Sequence, residues 1–93
     1  PASVVPGEPN FSKYSEKPPK ELAACVLPAW QKEVSKTTQV GISNGYRITA
    51  PSVITADEVL DIVKHKDGSR VSLYQGPPWA KSGALREAVR TCL

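Results

Sequence analysis

"TADEVLDIVKHKDGSRVSL", residues 55–73, can be read as a helix or as a strand hairpin, and the choice decides the fold of the whole chain. Thr55 and Glu58 have the spacing of a capping box, and Val59, Leu60 and Val63 would line a helix ending at Gly68. Against that, Val59, Ile62 and Val63 are β-branched, and Asp67 with Gly68 is a hairpin signal. A two-residue turn at Asp67 and Gly68 pairs Ile62 with Leu73 and Lys64 with Val71. Leu60, Ile62, Val71 and Leu73 then share one face, as a half-buried antiparallel pair requires. The segment therefore reads as two strands.

A second hairpin precedes it, over residues 38–50, with Asn44 and Gly45 marking the reversal and Pro51 ending the second strand. A two-residue turn at Asn44 and Gly45 puts Ile42 opposite Arg47 and scatters the apolar side chains over both faces. A three-residue loop of Ser43, Asn44 and Gly45, with the glycine in the left-handed position, pairs Ile42 with Tyr46 and Val40 with Ile48. One face is then apolar, and the other carries Gln39, Gly41, Arg47 and Thr49.

Helical patterns lie at both ends of these strands. In "PKELAACVLPAWQKEV", residues 19–34, Pro19 suits a first helical position, and Glu21 favours the dipole of the first turn. Leu22, Cys25, Val26, Ala29 and Trp30 recur at helical spacing. Pro28 removes a backbone hydrogen bond inside this pattern, so a kink or two short helices are expected there. "SGALREAVRTCL", residues 82–93, has Ser82 as its cap and Leu85, Ala88, Val89 and Cys92 in one stripe. The prediction is an α+β domain of order αββββα: a four-stranded antiparallel meander with the N- and C-terminal helices on one face, spanning residues 20–93. Residues 1–19 hold five of the nine prolines and show no apolar period, which reads as a flexible Pro-rich tether. Within it Asn10, Phe11 and Ser12 spell a glycosylation acceptor triplet.

Size makes such a core thin, and domains this small are often marginal without a staple. Cys25 and Cys92 are the only cysteines, and both fall on inward helix faces. A bond between them would contribute roughly 4 kcal/mol by loop closure in an oxidising compartment; two buried free thiols are the alternative. No run of residues is apolar and long enough to span a bilayer. The chain opens on Pro1, which reads as a processed or trimmed start. A net charge of +3, with acids and bases interleaved, is weak support for a polyanionic partner.

"AACVLPAWQ", then "NGYRI", then "LDIVKHKDGSRVSL", then "EAVRTCL", in that order, resembles small lipoproteins of proteobacteria that have no established biochemical activity. The likeness covers about residues 20–93. It implies an export signal, a lipid-bearing cysteine just upstream of the tether that this chain does not contain, and a disulfide between Cys25 and Cys92. It also implies a periplasmic or outer-membrane-anchored domain with a structural or protein-binding role, open to host antibodies if displayed as a surface antigen. The membrane would be reached only through that lipid anchor. Pro28 departs from the uninterrupted first helix expected of such relatives.

Residues with chemistry to offer are few. His65 is the only histidine; it has Asp61 along its strand and Arg70 opposite, and a surface histidine is the simpler reading. The ligands for a zinc site, the serine elbow of a hydrolase and the glycines of a phosphate loop are all missing. No catalytic residue, cofactor or metal is expected. The order helix, sheet, helix also suits a small nucleic-acid-binding domain using a basic sheet face, in which Arg47, Lys64, Lys66 and Arg70 would form the strip and Tyr74 would stack on bases. The last helix lacks the lysine cluster such domains use, which makes nucleic acid the weaker partner. A protein partner in the cell envelope is favoured, met by a monomer through Trp79, Tyr74, Val59, Val63 and Arg47. For Trp79 the competing reading is closure of the core over the sheet edge.

Overall fold

The computed structural model describes residues 9–53, 56–76 and 82–93. Seven elements follow in the order β1 (Phe11–Ser15), α1 (Pro19–Glu33), β2 (Thr38–Ile42), β3 (Gly45–Ala50), β4 (Glu58–His65), β5 (Gly68–Tyr74) and α2 (Gly83–Cys92). The strands form one antiparallel sheet in the order β1-β5-β4-β3-β2. The α+β class, the meander and the strand reading of residues 58–65 therefore stand. The sheet has five strands, however, because part of the stretch read as tether pairs with β5.

That fifth strand has a local cause. "FSKYS" alternates, and its register sets Phe11 beside Leu73, Lys13 beside Val71 and Ser15 beside Ser69. Phe11 packs against the core, with the Arg86 guanidinium carbon 5.1 Å from its ring centre. The turn after β1 is tied to β5 and to the end of α2. Ser69 Oγ donates to the Lys17 carbonyl at 2.7 Å, while Lys17 Nζ donates to the Cys92 carbonyl at 2.8 Å and Ser15 Oγ to that of Leu93 at 3.2 Å. The last two bonds satisfy carbonyls at the end of α2 that have no partner inside the helix. Gly68 is required here, because a Cβ on it would collide with the carbonyl of Ser15.

Register differs from expectation in both hairpins. β4 and β5 turn at Lys66 and Asp67, so Ile62 faces Val71 rather than Leu73; the shift is two residues, and Leu60, Ile62, Val71 and Leu73 still share the buried face. β2 and β3 turn at Ser43 and Asn44, with Ile42 beside Gly45 and Val40 beside Arg47. That one-residue shift sends Val40 and Ile42 to the outer face, away from Ile48. Asn44 takes the left-handed conformation (φ 63°) in place of Gly45. Gly45 is needed where β4 approaches, since a Cβ there would run into the Ile62 carbonyl.

Both helices cover the other face. Leu22, Ala23, Val26 and Trp30 of α1 and Leu85, Val89 and Cys92 of α2 form one core with Ile48, Ala50, Leu60, Ile62, Val71 and Leu73. α1 lies against β3 and β4 and against α2. Pro28 does not divide it: the helix runs on to Glu33, because Pro28 and Ala24, whose carbonyl loses its donor, both sit on the exposed side. Buried Trp30 donates from Nε1 to the Leu85 carbonyl at 3.0 Å. Ser82 caps α2 as expected, accepting from Leu85 N–H at 3.1 Å. Glu58, instead of opening a helix, is buried at the start of β4. Its carboxylate accepts from Gln75 Nε2 at 2.8 Å and from Ser82 N–H at 3.1 Å, at the positive end of α2.

Cys25 and Cys92 are bonded, with Cα atoms 5.8 Å apart and a separation of 67 positions in the sequence. Replacing both by Ala should lower unfolding free energy by about 4 kcal/mol, read from the urea midpoint; an unchanged midpoint would show that the bond constrains nothing. Glu58→Gln puts an N–H where one of two acceptors is needed, and should cost about 1–3 kcal/mol in the same measurement.

Candidate functional site

The helices leave one face of the sheet uncovered by any described residue, and antiparallel ladders place its side chains in rows. The middle row runs Val40, Arg47, Asp61, Ser72, Ser12; one flanking row runs Ile42, Gly45, Val63, Arg70, Tyr14; the other holds Thr38, Thr49, Val59 and Tyr74. Four of the five residues expected at a partner surface, Tyr74, Val59, Val63 and Arg47, thus share this face. Trp79 lies outside the described residues.

An ion pair holds the centre. Arg47 Nε donates to Asp61 Oδ1 at 2.7 Å and Nη2 to Oδ2 at 3.0 Å, a two-pronged contact across neighbouring strands. The hydrogen bond with Asp61 raises the Arg47 pKa above its ordinary value, which outweighs the opposing effect of burial. The guanidinium stays charged at any ordinary pH. Around it the surface is mixed: Val40 and Tyr14 are well exposed, while Val59, Val63, Tyr74 and Ile42 are half-buried.

His65 stands at one corner, edge-on to the Tyr14 ring (centroids 5.8 Å apart), with Arg70 Nη2 3.4 Å from its Nε2. Among the described residues no group of three His, Cys, Asp or Glu side chains could hold a metal. The basic side chains do not form a strip either. Arg47 is engaged by Asp61, Lys64 pairs with Ser69 in a row of the helix-covered face, and Lys66 lies in the turn. What the face offers is contact: aromatic edges, short aliphatic groups and one fixed ion pair. The Asn10 side chain of the acceptor triplet is occupied, its Oδ1 accepting from Gln75 N–H at 2.6 Å.

Tyr14, Val40 and Ile42 belong to this face and were not expected there. Tyr14 was hidden by the prolines around it, although the alternation in "FSKYS" was the signal that could have revealed it. A three-residue loop over residues 43–45 would turn Val40 and Ile42 inward, and the shift of one residue brings them to the outer face.

Arg47→Ala should cost about 1 kcal/mol, because the side chains are 25% and 17% exposed and solvent screens the pair. The loss should shrink in molar salt and be about half as large in Arg47→Lys, which keeps the charge without the fork. Thermal unfolding at two salt concentrations checks both.

Comparison with known proteins finds no matching protein family, no similar curated protein and no similar solved structure.

Proposed function

We propose that this chain is a domain of the bacterial cell envelope that works by non-covalent contact, offering the open face of its sheet to a protein partner. One observation carries the reading: the face around Arg47 and Asp61 has Tyr14, Val40, Val59, Val63 and Tyr74 at or near its surface, with no layer of described residues over it. Patches of this kind mark binding surfaces more often than scattered apolar residues do. Aromatic groups and a rigid arginine are the side chains that interfaces concentrate.

The compartment rests on separate support. A disulfide, together with the lack of any described helix long and apolar enough to cross a membrane, is compatible with an exported protein. The reading of the compartment also rests on the resemblance of residues 20–93 to proteobacterial lipoproteins, which implies a periplasmic or outer-membrane-anchored domain reached through a lipid on an upstream cysteine. A surface position would also present it to host antibodies. Nucleic acid is disfavoured by the dispersal of Arg47, Lys64, Lys66 and Arg70.

A photo-crosslinking residue placed at Val63 or Tyr74 of the exported protein should give discrete adducts in envelope fractions, whereas one at Glu87, on the exposed side of α2, should not. No adducts from either sheet position, or the same adducts from all three, would remove the reading.

A further inference from the structure

The two edges of the sheet are built differently. β1, at one edge, follows Pro9 and carries Lys13 at its centre, two of the usual devices that keep an edge strand from pairing with another chain. β2, at the other edge, is "TQVGI", with no charge, no proline and no bulge. All its residues but Ile42 are exposed. α1 lies over β3 and β4 and leaves β2 beyond the helical layer. Thr38, Val40 and Ile42, all β-branched, nonetheless alternate along it as in a strand with a neighbour on either side.

Backbone geometry specifies what the edge can accept. A two-residue turn makes Ile42 and Gly45 a hydrogen-bonded pair, so alternation points the N–H and C=O of Gln39 and Gly41 away from β3. Two bonds agree with this phase: Lys64 N–H donates to the Asn44 carbonyl on the β4 side of β3, and the outward N–H of Thr37 turns back to the Val34 carbonyl at 3.0 Å. Gln31 Nε2 donates to the Thr37 carbonyl at 3.2 Å, which completes that residue. Among the described residues nothing comparable serves Gln39 or Gly41, and the space beside Gly41 is open.

We propose that β2 pairs antiparallel with β2 of a second copy across a two-fold axis at Val40. In that register Gln39 of each copy faces Gly41 of the other, so the four outward backbone groups of each strand meet hydrogen-bonding partners. Val40 falls opposite Val40 in a non-hydrogen-bonded pair, where side chains approach closest, and Thr38 falls opposite Ile42 on either side. No charge meets a like charge within the strands. The contact is closed and isologous: it joins two five-stranded sheets into one of ten strands, with the guarded β1 strands as its outermost described members. The occupant is a second copy because the strand is complementary to itself about its middle residue. The inference departs from the monomer expected on composition and stands independently of any envelope partner.

Sedimentation equilibrium from micromolar to millimolar concentration should show the average mass rising from 10.0 kDa toward twice that value. Val40→Lys sets two ammonium groups face to face at a position 54% exposed in the single chain; it should abolish the rise while leaving the melting temperature of dilute protein unchanged. Oxidised Val40→Cys should form a covalent dimer, since Cα atoms about 4.5 Å apart across such a pair suit a disulfide. Thr38→Cys should not, its two copies lying roughly 13 Å apart along the strands. A wild-type mass fixed at one chain up to millimolar concentration, a rise that survives Val40→Lys, or equal cross-linking at 38 and 40 would each overturn the proposal.

Discussion

Everything in this molecule depends on the seam between α1 and α2. Cys25 is joined to Cys92 along it, and Trp30, the largest buried side chain among the described residues, donates its indole N–H to the Leu85 carbonyl across it. Among the described residues a single helical layer covers one face of the five-stranded sheet, and that face supplies nearly all the buried apolar surface. Separate helices would each bury only a stripe. Locked together, they form one continuous lid over Ile48, Leu60, Ile62, Val71 and Leu73.

Polar contacts extend this clamp to the sheet margins. Glu58 links β4 to the first turn of α2, and the Ser15–Lys17 turn closes the last turn of the same helix. α2 is thus held at its N-terminus by a carboxylate and at its C-terminus by an ammonium and a hydroxyl. The carboxylate and the ammonium have the charge signs that the helix dipole favours at those ends.

How much of this was legible in the sequence depends on whether burial enforced a pattern. β4 and β5 lie in the middle of the sheet beneath the helices, and an error of two residues in their register leaves every side chain on its proper face. β2 has no helix over it, so nothing obliges its apolar residues to point inward, and an error of one residue inverted the strand. β1 was missed for a related reason. It contributes one partly buried aromatic, Phe11, and the bonds that fix it and the turn after it run to Ser69, Cys92 and Leu93, far away in sequence, so five alternating residues are all the local signal it has. The outer face was legible only where it belonged to central strands, as at Arg47, Val59, Val63 and Tyr74.

The pairing of β1 with β5 has a consequence for the order in which the chain is made. The first strand to emerge must wait for the penultimate element before it has a neighbour, and the sulfur of Cys25 must wait for a helix ending one residue before Leu93. Such distant pairings are slow to assemble, on the order of milliseconds to seconds, so a chain threaded through a narrow channel could not close its sheet on β1 until β5 had passed, nor form its disulfide until α2 had.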